Sequence, residues 1–175
     1  LSPAAGSGIL FTGTNTFPVE SERYALAFYL TFLVAVLSDF LTKHWIRTNL
    51  ALGETRPVIH DFLRITHWRN SGAAFGMFRN ANTYLAIVGA VCIVLAIAIY
   101  PKLRYLGPYF AVALGLVAGG AMGNLIDRVV FKSVTDFISV KYFSPIFNVA
   151  DSAIVLGSFL MICVVLFSPQ GSAWK

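Results

Sequence analysis

Four long apolar runs divide this chain of 175 residues, and nearly all of its unusual polar residues lie at the ends of those runs. Tyr24 to Ile46, Asn82 to Tyr100, Tyr105 to Ile126 and Phe147 to Phe167 each meet the roughly 20 residues that a helix needs to cross a bilayer. The third run continues as helix to Arg128, because Asn124, Asp127 and Arg128 follow at i, i+3 and i+4 and so share a face. About 35 polar residues separate the first two runs, only Pro101 to Arg104 the second and third, and about 20 the third and fourth, so loops one and three share one membrane face. In loop one, Leu63, Ile65 and His67 alternate with Arg64, Thr66 and Trp68 in a stretch dense in β-branched and aromatic residues, which predicts a short hairpin over the membrane surface. The expected fold is an all-α membrane protein of four transmembrane helices, with a small β-rich loop domain between helices one and two.

Composition agrees: 57% of residues are hydrophobic, only 12% are charged and the mean hydropathy is +0.73, where soluble domains carry roughly twice that share of charge. Residues 21–168 read as a single four-helix domain. Residues 1–20, rich in Gly, Ser, Thr and Pro, read as an expression remnant or a disordered tail, and residues 169–175 as a C-terminal tail. Cys92 and Cys163 lie in mid-run and read as small hydrophobes. The net charge of +5 suits work at a membrane surface, and with no aromatic-basic recognition motif it gives no support for a nucleic-acid partner.

The face shared by loops one and three receives Asp39 and Lys43 from helix one, Asn70 from loop one, Asn124, Asp127 and Arg128 from helix three, Asp136 from loop three, and Asn148 and Asp151 from the start of helix four. Convergence of this kind at one set of helix ends is what an interfacial active site requires. Asp39 and Lys43 form an i,i+4 pair read as structural, with the lysine snorkelling. Asp127 and Arg128 read first as a helix-end ion-pair network, although the Arg128 fork is also suited to a peptide carbonyl or a lipid head group. Gly115, Gly119, Gly120 and Gly123 form a small-residue stripe that lets neighbouring helices approach. Asn70 to Gly76 combines small residues with an amide and is a candidate for holding extended peptide.

Asp136 and Asp151 carry the chemical expectation. Each is bracketed by apolar residues, Val134, Phe137 and Ile138 around one and Val149, Ala150, Ala153 and Ile154 around the other, so neither belongs to a charged solvated surface. A carboxylate at membrane depth costs roughly 2.5 to 3.5 kcal/mol, which calls for a function. Two carboxyls brought close in a low-dielectric site share one proton, so one serves as base toward a water while the other, as acid, protonates the oxyanion. That is the chemistry of an aspartic protease.

Five blocks carry a resemblance: Asp39-Phe40-Leu41-Thr42-Lys43, Arg69 to Gly76, Gly119 to Arg128, Val134-Thr135-Asp136-Phe137-Ile138, and Phe147 to Ser152. In order and approximate spacing, from about Ser38 to Ile154, the chain resembles the bacterial lipoprotein signal peptidases (signal peptidase II). The resemblance implies an inner-membrane aspartyl protease, multi-pass, with its site and β-rich loop at the extracytoplasmic face. Such an enzyme cuts a signal peptide from a prolipoprotein just before a diacylglyceryl-modified cysteine. It further implies Asp136 and Asp151 as the catalytic pair, Asn70 and Arg128 as substrate-engaging residues, and Asp39, Lys43, Asn124, Asp127 and Asn148 as support for the site. Neither a cofactor nor a metal is implied; the partners are lipidated prolipoproteins and membrane phospholipids, and a monomer is expected. Two departures stand out: Phe40 occupies a position that is often Gln, and the segment between the two aspartates is somewhat short.

Charge bias points the other way. Lys43, Arg47, Arg56, Arg64, Arg69, Arg79, Arg128, Lys132 and Lys141 lie on the loop face, against Arg23, Lys102, Arg104 and Lys175 opposite, so the positive-inside rule alone would turn the site toward the cytoplasm. Three other classes remain in view, one of them a noncatalytic lipid-binding or assembly protein, which would tolerate loss of Asp136 or Asp151. A small transporter would show an internal repeat with midplane polar residues, whereas here the halves share no motif. Zinc hydrolysis would use His44, His60, Asp61 and His67, yet no two of these histidines have metalloprotease spacing.

Overall fold

The computed structural model describes residues 17–72 and 81–167. Helix α1 (Phe17–Asn49) leads into a hairpin of β1 (Thr55–Ile59) and β2 (Leu63–Asn70), then α2 (Ala81–Leu103), a 3-10 turn at Arg104–Leu106 and α3 (Pro108–Phe131). A second hairpin, β3 (Val134–Val140) and β4 (Phe143–Phe147), precedes α4 (Val149–Phe167). All four α-helices are long and apolar enough to cross a membrane.

Helix α3 is the hub, with 56% of its most apolar window buried against 17% for each of the other three helices. Its glycines cause this. A Cβ on Gly115 would come within 2.7 Å of the Phe28 carbonyl oxygen, and one on Gly119 equally close to that of Phe32, so α1 packs directly on the α3 backbone. Gly120 does the same for α4, where a Cβ would strike the Ala150 carbonyl, and Gly157 of α4 returns the contact against Ala113. The packing role expected of the stripe is what the structure displays. Away from the sheet, the bundle closes on Phe28, Ala96, Tyr100, Phe110, Ala111, Leu114 and Ala118.

The two hairpins form one antiparallel sheet in the order β1-β2-β3-β4, which corrects the expectation of a β-rich element confined to the loop between helices one and two. Loops one and three lie on the same face, so the free backbone edges of their hairpins pair: Leu63 sits opposite Val140, Trp68 opposite Asp136 and Asn70 opposite Val134. Val134 to Phe137 are buried under the helix ends, and Phe137 packs with Ile46 and Leu50 to join the sheet to α1. Asp136 therefore sits on a strand and not in an irregular loop.

Element ends also differ from the expected ones. Helix α1 takes in residues 17–20 of the supposed tail, and α4 starts at Val149 because Phe147 closes β4. Pro101 lies inside α2, so the second and third helices are divided by the turn after Leu103. The stretch from Ala73 to Gly76, Arg79, residues 1–16 and the C-terminal tail lie outside the described residues.

Candidate active site

The site begins with the first turn of α4. Asn148 occupies its N-cap and Asp151 its third position, and each bonds the other's backbone: Asp151 N–H donates to Asn148 Oδ1 at 2.8 Å, and Asn148 N–H to Asp151 Oδ2 at 3.2 Å. This reciprocal capping box satisfies two helix-end donors and fixes the Asp151 carboxyl. A third donor, Ala150 N–H, goes to Asp39 Oδ1 of α1 at 2.9 Å. Asp39 thus caps a helix more than a hundred residues away in sequence.

From this cap a network of side-chain amides spreads to both aspartates. Asn148 Nδ2 donates to Asp136 Oδ1 at 2.7 Å and to Asn124 Oδ1 at 3.2 Å, and Asn124 Nδ2 donates to Asp151 Oδ1 at 2.7 Å. Lys43 Nζ, fully buried, donates to Asn124 Oδ1 at 2.9 Å and pairs with Asp39 at 2.8 Å and Asp127 at 3.5 Å. Charge assistance from the ammonium polarises the Asn124 amide and strengthens its bond to Asp151. On the sheet side, Asn70 Nδ2 donates to Asp136 Oδ2 at 2.9 Å, and Gly72 N–H to Asn70 Oδ1 fixes which way that amide points.

Asp136 is 1% exposed, and burial pushes its carboxyl up from 3.8 to about 6. The Asn70 bond opposes this, the charge of Asp151 adds to it, and Asn148 and Lys43 oppose it further. Asp136 and Asp151 face a pocket of about 750 Å³, whose remaining wall is apolar: Phe143, Pro145, Ile146 and Phe147 of β4, and Val155, Leu156 and Phe159 of α4. Asn70 and Ser152 add polar groups at its lining. Two carboxyls tied into one network of side-chain amides thus line an apolar cleft.

The structure brings Asp39, Lys43, Asn70, Asn124, Asp136, Asn148 and Asp151 into one hydrogen-bonded group, with Asp127 joined through Lys43. Arg128 stands apart. Its NH1 reaches only the Asn124 carbonyl, at 3.4 Å, and among the described residues it lies within salt-bridge distance of no carboxylate. Asp127 takes its place in the expected helix-end ion-pair network, with Lys43 and Arg47 as its cations, while Arg128 does not. Snorkelling of Lys43 is also corrected, because the ammonium is held inside by three partners. Phe40, the departure from the resemblance, is exposed on the outer face of α1 near His44 and takes no part in the network.

Two residues of this region escaped the sequence reading. Arg47 bonds Asp127 Oδ1 and Thr135 Oγ1, each at 3.0 Å, and its position four residues after Lys43, itself four after Asp39, was the available signal. Thr135 also donates its N–H to Asp127 Oδ2 at 2.9 Å. Two of the three histidines have other contacts: His67 Nδ1 is 2.9 Å from the Leu50 carbonyl, and His44 stacks on Phe40. Among the described residues no cluster of three or more His, Cys, Asp or Glu side chains is arranged to hold a metal ion.

Comparisons with known proteins bear on the whole chain. The sequence model of a family described as signal peptidase (SPase) II matches residues 31–167, a span that contains every residue of the network. A lipoprotein signal peptidase of Syntrophomonas wolfei is 38% identical over 141 residues, covering 81% of this chain and 93% of that protein. One from Moorella thermoacetica is 42% identical over 149 residues, covering 83% and 96%, and one from Anoxybacillus flavithermus 40% over 143, covering 79% and 84%. Two solved structures, described as bacterial membrane enzymes determined by the in meso method, superpose with a TM-score of 0.71 each. They are 32% and 33% identical, covering 91% and 87% of this chain and 94% and 96% of theirs. With four span-length helices and membrane enzymes for neighbours, this is an integral membrane protein. Identities of 38 to 42%, aligned over most of each relative, agree with the family match on one assignment: the chain belongs to the signal peptidase II family.

Proposed function

We propose that this protein is an aspartyl endopeptidase that removes signal peptides from prolipoproteins, with Asp136 and Asp151 as its catalytic pair. The observation that carries this reading is the Asn148 side chain, bonded to Asp136 through Nδ2 and to Asp151 through Oδ1 and the capping box, which holds the two carboxyls as one unit beside the pocket. Asp136, whose proton is retained up to about 6, is the acid. Asp151, at the N-terminal end of α4 and half-exposed to the pocket, is the base. Asp151 takes a proton from a water, the water oxygen attacks the scissile carbonyl carbon, and Asp136 gives its proton to the developing oxyanion. When the tetrahedral species collapses, the C–N bond breaks, the proton now on Asp151 goes to the departing amine, and Asp136 takes back a proton from the hydroxyl that becomes the new carbonyl.

Asn70 and Arg128 are the substrate-engaging groups. The fork of Arg128, in no salt bridge among the described residues, offers donors to a peptide carbonyl, and Asn70 stands at the pocket edge already bonded to Asp136. Asp39, Lys43, Asn124, Asp127 and Asn148 hold the pair in place. The apolar pocket wall fits a substrate that brings hydrocarbon with it, namely a precursor whose cysteine carries a diacylglyceryl group, cut just before that residue. Acyl chains in the bilayer would hold the scissile bond at the depth of the carboxyls, so placement supplies much of the rate.

This reading puts the sheet and site at the extracytoplasmic face of the cytoplasmic (inner) membrane, against the bias of charge. Lys43, Arg47 and Arg128 count toward that bias, yet Lys43 and Arg47 are bound to carboxylates inside the protein and Arg128 is half-buried beside the site. Arg56 and Arg64 on the sheet and Lys141 in the turn between β3 and β4 are the basic groups that suit anionic phospholipid heads in this reading.

The test compares lipidated and unlipidated forms of one precursor with the enzyme in one detergent. Lipidated precursor is cleaved at least about tenfold faster, and Asn70→Ala or Arg128→Ala slows that cleavage. Equal rates for the two precursors would overturn the lipid-placement reading.

A further inference from the structure

We propose that Arg47 and Thr135 are positioning residues for Asp136, a role that rests on reading Asp136 as a catalytic carboxyl. The sheet alone supports Asp136 thinly. On one side β2 pairs with Val134, Thr135 and Asp136, but the register slips between Asp136 and Ile138, and on the other side β4 pairs with β3 only at Ile138 and Val140. A clamp from the helices makes up for this. Asp127 of α3 accepts the Thr135 N–H at 2.9 Å, and Arg47 of α1 bridges Asp127 Oδ1 and Thr135 Oγ1 with one nitrogen, at 3.0 Å to each.

Thr135 is thereby held through its backbone and through its side chain, one residue before Asp136. The guanidinium lies 4.3 Å from the centre of the Phe131 ring, which fixes the plane of the fork. Lysine in place of Arg47 would keep the charge but lose the flat stacking surface and the second directed hydrogen. With the clamp intact, β3 leaves α3 in a defined direction and presents the Asp136 carboxyl to Asn70 and Asn148. Without it, the strand start keeps only its pairing with β2 at Asn70, Arg69 and Trp68, and a displacement of about 1 Å at a reacting group costs on the order of 10²-fold in rate.

The experiment measures kcat and KM of the full-length, membrane-reconstituted protein on a synthetic lipidated precursor peptide. Arg47→Met lowers kcat about 10²-fold and Thr135→Val about tenfold, each with KM changed less than about twofold, because bound substrate is still held while the acid is misplaced. Thr135→Ser, which keeps the hydroxyl, recovers most of the rate lost in Thr135→Val. Arg47→Met with Thr135→Val is no slower than Arg47→Met alone, since both break one clamp. A kcat within about twofold of wild type in both single variants overturns the proposal, as does a Thr135→Ser enzyme no better than Thr135→Val. Should Arg47→Met fail to fold, the threonine pair decides the matter. Asp136→Asn in the same assay separates the two ideas: if it is inactive while the clamp variants run at wild-type rate, only the clamp is wrong. If it cleaves normally, the reading of Asp136 falls and the clamp with it.

Discussion

At the end of the bundle away from the sheet, α1, α2 and α3 meet through Phe28, Tyr100, Phe110 and Leu114, with the Phe28 and Tyr100 rings stacked 4.5 Å apart. At the sheet end the same α1 and α3 meet through Asp39, Lys43, Asn124 and Asp127, which are just as inaccessible to solvent. The physical costs differ. Apolar packing needs no partners, whereas every buried charge must be matched, and replacing a buried ionic cluster by well-packed apolar side chains is often neutral or stabilising. Stability alone would therefore not favour the polar end. Its members lead, bond by bond, to the carboxyls of Asp136 and Asp151, which places the cost on the side of function.

Variants can break this contrast, and the largest effect is expected at the pair itself. Asp136→Asn and Asp151→Asn each lower turnover of a lipidated precursor by about 10³-fold or more while the protein stays folded and inserted, and the double variant is little worse than either single. Gel-shift cleavage assays beside thermal unfolding in detergent read both quantities; near-wild-type cleavage by either variant would remove the pair from the chemistry. Next comes Lys43→Met, which leaves Asp39 and Asp127 buried without their ammonium and costs about 3 kcal/mol of stability together with activity. A stable, active Lys43→Met protein would mean that the polar end needs no charge balance.

A pH series sharpens the comparison. The Asp136 carboxyl lies outside the spanning helices and is raised from 3.8 to about 6, first by burial, with Asp151 adding to the rise and Asn70, Asn148 and Lys43 opposing it. A raised acid keeps its proton in the folded state, so the one-proton form of the pair is lost as pH climbs through about 6. Above that point kcat/KM falls about tenfold per pH unit. The same sign applies to folding: the contribution of this carboxyl is fully present below pH 3.8 and is lost as pH rises to about 6. A flat kcat/KM profile from pH 6 to 8 would contradict the assignment of Asp136 as the acid. The smallest effect belongs to the apolar end, where Phe28→Leu costs about 1 kcal/mol and leaves kcat unchanged. A kcat that moved with Phe28 would show the two ends to be coupled.

Much of this was legible along the chain. The four spans follow from hydropathy, and the convergence of Asp39, Lys43, Asn124, Asp136, Asn148 and Asp151 follows from loop lengths that put odd-numbered loops on one face. The i,i+4 spacing of Asp39 and Lys43 announced their ion pair. That Asp127 belongs to a helix-end ion-pair network was also legible, but not that its cations come from α1 as Lys43 and Arg47, because which residues of another helix face it depends on how α1 and α3 pack. The β3–β4 hairpin was missed because Val134 to Phe147 contains the polar and turn residues of a loop, and its strand character depends on β2 as a neighbour.

The sequence by itself determined the solvent in which this protein folds and which residues are too costly to bury without a purpose, since both depend on composition and on spacing along one chain. Tertiary structure decided which amide meets which carboxylate. Asn148 at the cap of α4 reaches Asp136 on β3, Asp39 caps α4 and Arg47 grips Thr135, and these contacts depend on how α1 and α4 pack against the glycine-lined backbone of α3. Hydrogen bonds act over about 3 Å, so their pairing is settled by the angles and offsets of packed elements, to which a pattern of apolar and polar positions is blind.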